Sequence, residues 1–176
     1  MSREEPAPGP DSGPGGELEH FSAYLDFYRD TCVEKCRSLP APELRVPRVP
    51  SGWTPLELLQ HLALMERRWF VWGFLGEDVE DPWGDWDVDE PWENDGGRWS
   101  VADDVSAGAL VDALEAVGER TRGVLTAHPL DAVAPLGTRF PEDPPDLEWI
   151  CLHVLQEYAR HAGHLDIVVE LAGAQE

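Results

Sequence analysis

Glu157 and His161 stand four residues apart in a segment of helical pattern, and the chemistry of this 176-residue chain starts with them. That spacing brings two side chains to one face of a helix, one above the other. At about 100° per residue, Leu147, Cys151, Val154, Tyr158, Ala162, Leu165 and Val169 form a narrow apolar sector, and the pair lies on its flank. A carboxylate and an imidazole beside a buried stripe need polar partners, because an unpaired charge is costly to bury. A divalent cation would satisfy both, and helical bundles hold such ions with paired ligands on one helix and a third from a facing helix. His61 suits the third position: it sits beside Leu58 and Met65 in an earlier helical segment, with no polar neighbour among them. Two imidazoles and one carboxylate make a three-ligand site with a position left open for water or substrate, which is the catalytic pattern. Zinc is the first expectation, with Ni2+ or Fe2+ as alternatives.

Each part also has a plainer reading. His61 alone can be a core histidine hydrogen-bonded to a neighbour. Glu157 and His161 alone can be a surface pair that supports its helix by a few tenths of a kcal/mol. His153 and His164 compete for the register, lying four before Glu157 and three after His161.

These residues must be positioned by helices. Residues 1–16 are mostly Pro, Gly, Ser and acidic residues and read as a disordered tail, leaving one domain over 17–176. Leu18, Phe21, Leu25, Tyr28, Cys32 and Leu39 recur at steps of about three and four, the mark of a first helix. Four prolines from Pro40 to Trp53 predict a non-helical crossing. Thr54-Pro55-Leu56-Glu57 predicts a capping box that opens a second helix, with Leu58, Leu62, Met65, Trp69 and Trp72 inward and Gly76 at its end. A long connection rich in acidic residues and tryptophan follows, over 77–99, and is expected to fold back to the mouth of the site. Ser100-Val101-Ala102-Asp103 predicts the start of a third helix and His128-Pro129 its stop. A second Pro-rich crossing leads to a fourth helix that Asp143-Pro144-Pro145 opens and Gly173 closes. The fold class expected is all-α, a four-helix bundle with long crossover loops.

Composition narrows the partners. Thirteen Lys and Arg against 35 Asp and Glu give a net charge of −22, a field that repels nucleic acids and anionic membranes. Cys32, Cys36 and Cys151 form neither an even disulfide set nor a four-cysteine zinc pattern, and read as small buried apolar groups. No apolar run approaches a membrane span, and no secretory leader pattern opens the chain, so a cytoplasmic protein is expected. No Cys, Ser or Lys stands in a nucleophile motif.

The stretch Ser51-Gly52-Trp53-Thr54-Pro55-Leu56-Glu57-Leu58-Leu59-Gln60-His61-Leu62 resembles the DinB-like pattern of a Trp-Thr helix start followed by Glu-Leu-Leu-x-His-Leu. Glu157-Tyr158-Ala159-Arg160-His161-Ala162-Gly163-His164 resembles the distal motif of the same family. With the bundle pattern the resemblance spans roughly residues 17 to 173. It implies a DinB-like four-helix bundle with metal ligands on the second and fourth helices: His61 proximal, His161 distal, and Glu157 in the middle, where many relatives have His. Glu at that position resembles the branch of mycothiol-dependent maleylpyruvate isomerase and mycothiol S-transferases. The resemblance therefore implies a metal-dependent S-transferase or isomerase whose partners are a small, mycothiol-like thiol and an electrophilic small molecule, with a homodimer as an option. The rival from another class is a non-catalytic, divalent-metal-binding stress or interaction module.

Overall fold

The computed structural model describes residues 5–6, 16–86, 99–137 and 139–173. The expected tail lies outside them except for residues 5, 6 and 16, as does the middle of the acidic, Trp-rich connection. The chain is all-α. Helix α1 runs Gly16–Ser38, α2 Pro55–Glu66, α3 Ala107–Ala127 and α4 Leu147–Gly173. Helices α1 and α4 pack along one another, as do α2 and α3.

The apolar stripes meet in one core. Leu25 and Cys32 of α1, Leu58, Leu62 and Met65 of α2, Leu114 of α3, and Ile150, Val154 and Leu165 of α4 are all at most 2 % exposed. Among the described residues no strand forms; the nearest approach is an isolated bridge between Val133 and Asp146. None of the described helices is long and apolar enough to cross a membrane.

Four local expectations are corrected. The crossing after Pro40 contains a 3-10 turn, Ala41–Arg45, with proline at its start, where a missing N–H costs nothing. The second helix does not continue as one α stripe to its end: Arg67–Phe74 is wound as a π-helix, with Leu75 N–H donating to Phe70 O at 3.0 Å. The wider turn buries Phe70, Val71, Trp72 and Phe74 in near succession and leaves Trp69 half-buried. Gly76, at φ +65°, then ends it.

The third helix starts at Ala107 rather than beside Ser100. Arg45 reaches across from the first crossing and donates to the carbonyls of Ala102, Asp103 and Val105 at 3.1, 3.3 and 2.7 Å. Those oxygens are taken by a guanidinium, and capping falls to Ser106, whose hydroxyl accepts from Ala109 N–H at 3.1 Å. The fourth helix starts at Leu147, after the two prolines. The crossing folds back on that start, with Leu147 and Glu148 N–H donating to the carbonyls of Ala132 and Leu130, both at 2.9 Å. Asp146 accepts from Trp149 N–H at 2.9 Å, so the first N–H groups of α4 are satisfied by the loop itself.

One polar cluster ties all four helices together. Glu66, fully buried at the end of α2, accepts from Arg29 of α1 at both oxygens (2.7 and 3.2 Å) and from Thr121 of α3 at 2.5 Å. The Tyr158 hydroxyl of α4 also donates to it. Gly118 makes room for this arrangement: a Cβ there would stand 2.7 Å from Arg29 Nε and 2.8 Å from its Cζ.

Candidate metal centre

The capping box of α2 sets the register of His61. Thr54 Oγ1 accepts from Glu57 N–H at 3.3 Å, and Glu57 Oε2 accepts from Thr54 N–H at 2.8 Å. This fixes the first turn, and His61 follows two turns in, facing α4. There it meets the pair read from spacing. One ligating atom each from His61, Glu157 and His161 lies within 4.8 Å of the others. The two imidazoles are 6 % exposed, and their ring centroids are 4.9 Å apart. His153 and His164 stay outside the set. His153 stacks on Trp149 at 5.2 Å and leans on Trp69 at 4.3 Å, while His164 packs edge-on to His161 at 5.4 Å and against Trp53.

The site's electrostatics follow from burial. His161, its Nε2 3.4 Å from Glu157 Oε2, holds the Glu157 carboxyl below the usual range against the opposing effect of burial, with Arg160 at 3.2 Å adding to the depression. Burial pushes the His161 imidazolium below its ordinary value, against the pull of Glu157. A depressed carboxyl and a depressed imidazole give an anionic Glu157 and a neutral His161 near pH 7, the protonation states that ligate cations. Two buried ring nitrogens, His61 Nε2 and His161 Nδ1, have no hydrogen-bond partner. Buried polar atoms in native proteins are nearly always satisfied, so the partnerless His61 Nε2 in a cluster where His161 Nε2 already lies 3.4 Å from Glu157 Oε2 suits a divalent cation. A His/Glu/His cluster of this kind can hold a divalent ion.

Three further residues of the site lie outside the ligand set expected from the sequence. Asp85 comes from the acidic connection and takes His61 Nδ1 at 2.6 Å, its side chain only 3 % exposed. Arg68, from the π-helix, holds Asp85 at 2.9 Å and donates to Trp83 O at 2.6 Å. Trp99, at the far end of the connection, stacks on His61 with centroids 4.2 Å apart. The described ends of the connection thus return to His61, as its length suggested. Asp85 has one signal in the sequence, its place in that connection, but nothing distinguishes it there from neighbouring carboxylates. A cavity of about 710 Å³ opens beside Asp85, lined by Gln60, Leu64, Arg67, Asp81 and Trp86. His61, Glu157 and His161 do not line it; Asp85 stands between.

The protein's own thiols are withdrawn from chemistry. Cys32, Cys36 and Cys151 are free and buried. Burial pushes the thiols of Cys36 and Cys151 up to about 12, and that of Cys32 higher still. Since the thiolate is the reactive form, Ellman's reagent at about pH 8 is expected to label no thiol in the native protein. All three should react after denaturation. Stoichiometric labelling of the folded protein would overturn that reading.

The family model described as mycothiol S-transferase matches residues 20–173 of the chain. No curated protein matches it.

Proposed function

The chain belongs to the mycothiol S-transferase family, and on that premise we propose that it joins a small thiol of mycothiol type to an electrophilic small molecule, using a divalent ion, zinc first, held by His61, Glu157 and His161. The observation that carries the reading is a buried cluster of His61, Glu157 and His161 whose ligating atoms lie within 4.8 Å of one another, with His61 Nε2 left without a hydrogen-bond partner. Such an ion would supply positive charge that lowers the pKa of a nearby thiol.

The chain's own residues prepare the site. Asp85 accepts from Nδ1–H of His61, which fixes the tautomer and leaves Nε2 as the lone-pair nitrogen. Arg68 keeps Asp85 in place, and Trp83 O holds Arg68. The Trp99 ring covers one face of His61 and keeps water from it. Burial keeps His161 neutral, so its lone pair is available rather than protonated. The buried cysteines leave the nucleophile's role to an external thiol. In the transfer, the thiol sulfur forms a bond to the electrophilic carbon, the leaving group departs with its electron pair, and the thiol proton is released to solvent.

Incubating metal-loaded protein with mycothiol, bacillithiol or glutathione and monochlorobimane tests the activity. Conjugation above the uncatalysed rate is expected, fastest with mycothiol and absent in His161→Ala. Equal rates for the wild type and His161→Ala would remove the enzyme reading and leave a metal-binding module.

A further inference from the structure

Arg139, in the crossing between α3 and α4, is a half-buried cation without a counter-ion among the described residues. Its guanidinium carbon lies 4.5 Å from the centroid of Trp69, 4.8 Å from Trp83, 5.1 Å from Phe140 and 5.6 Å from Trp72. Nε is buried and makes no hydrogen bond. Among the described residues no carboxylate lies within ion-pair distance of it, in a chain where 35 acidic residues face 13 basic ones. Burial pushes its pKa down to about 10, and neighbouring Arg68 pushes the same way. Arg68 is itself neutralised by Asp85; Arg139 is not.

Aromatic faces attract a guanidinium but accept no conventional hydrogen bond from it. Its planar fork of donors matches a carboxylate, which can take two parallel N–H bonds. Space for such a group is present: a cavity of about 190 Å³ is lined by Arg139 together with Trp72, Gly73, Gly76, Pro135 and Leu136. The walls divide about equally between polar and apolar surface, and Trp72 supplies a flat face, so they suit a carboxylate carried on a flat body. The position is also connected to the metal centre on two sides. Trp69, which touches Arg139, touches His153, one turn before Glu157 on α4. Trp83, which also touches Arg139, accepts from Arg68, whose other partner Asp85 holds His61.

We propose that Arg139 and the cavity beside it form a recognition subsite for the carboxylate of the electrophilic co-substrate, so that the protein prefers anionic, flat electrophiles over neutral ones. The assignment to a co-substrate rests on the transferase reading; the carboxylate site itself does not. Binding and turnover therefore need separate measurements. In calorimetric titrations of the whole protein, benzoate is expected to bind saturably and at least about tenfold more tightly than benzamide. That difference should vanish in Arg139→Met and weaken in Arg139→Lys, which keeps the charge but loses the fork. The melting temperature of Arg139→Met should be unchanged or higher, because an apolar side chain replaces an unpaired buried cation.

In turnover, mycothiol is offered 4-chloro-3,5-dinitrobenzoate or the corresponding benzamide. The sulfur bonds to the ring carbon that carries chlorine, chloride leaves, and the proton goes to solvent. Wild type is expected to show a KM about tenfold lower for the benzoate, with the two KM values converging in Arg139→Met. Equal affinity for benzoate and benzamide, benzoate binding that survives Arg139→Met, or a clear loss of stability in Arg139→Met would each overturn the subsite. Arg139-dependent benzoate binding without conjugation of either electrophile would keep the subsite and sink the transferase reading instead.

Discussion

Purified without an affinity tag, the protein is expected to carry one divalent ion per chain, and His61→Ala, Glu157→Ala and His161→Ala are each expected to lose it. The three side chains reach one point from α2 and α4, so removing any one leaves two protein ligands, fewer than the three that an open catalytic site needs. Groups that hydrogen-bond the far nitrogen of a metal-bound histidine typically contribute about 10–100-fold in affinity, and a ligand itself should cost more than that. Asp85→Asn offers the internal calibration. It keeps the shape beside His61 but weakens the hold on Nδ1, and a loss of about 10–100-fold is expected there. His153→Ala and His164→Ala lie outside the set and should change metal content little. Elemental analysis and competition with a chelator read all six variants. An empty site in His153→Ala with a full one in His161→Ala would show that the fourth-helix ligands are misassigned.

Glu66→Ala should be the most destabilising single substitution in the bundle. Its carboxylate is fully buried and satisfies Arg29, Thr121 and Tyr158 from the three other helices. Removing it strands Nε and Nη2 of Arg29, 4 % exposed, and leaves only the half-buried Asp26, held through Nη1, to offset the charge. Breaking a buried pair in this way costs about 3–5 kcal/mol. At roughly 2–4 °C per kcal/mol for a chain of this size, the melting temperature should fall by roughly 6–20 °C. The combined variant Arg29→Met, Glu66→Leu and Tyr158→Phe leaves two former partners, Thr121, which keeps its bond to Val117 O at 3.2 Å, and Asp26, which keeps Arg122 at 2.5 Å. It should recover most of the loss, since apolar groups of like volume commonly replace a buried pair at little cost. A fall of only a degree or two for Glu66→Ala would mean that Arg29 finds water or another acceptor. Gly118→Ala should destabilise as well, despite the better helix propensity of alanine, because its Cβ would crowd the Arg29 guanidinium.

The four helices were legible in the sequence because each is a local pattern. A stripe at steps of three and four, a Thr-Pro-x-Glu start and a terminal glycine depend on residues within one or two turns of one another. Helix α2 begins at Pro55 for that reason, and α1 ends just before Pro40. The meeting of Glu157 with His161 was legible for the same reason, since four residues on a helix leave little else to decide. The approach of His61 to them needed only the inward face of a second stripe.

Tertiary structure decided whatever depended on partners far along the chain. Nothing near Ser100 indicated that Arg45 would take the carbonyls of residues 102–105 and move the start of α3 to Ala107. Glu66 looked like one more polar residue at the end of a helix, because its three partners lie 37, 55 and 92 residues away. Asp85 sits 24 residues from His61, in a connection where many carboxylates are chemically equivalent until the backbone places one of them against an imidazole. Periodicity settles which face of a helix is buried. Which charge stands opposite another inside that buried space is settled only when the loops and the π turn close around it, because a desolvated charge must find its partner wherever the chain happens to bring one.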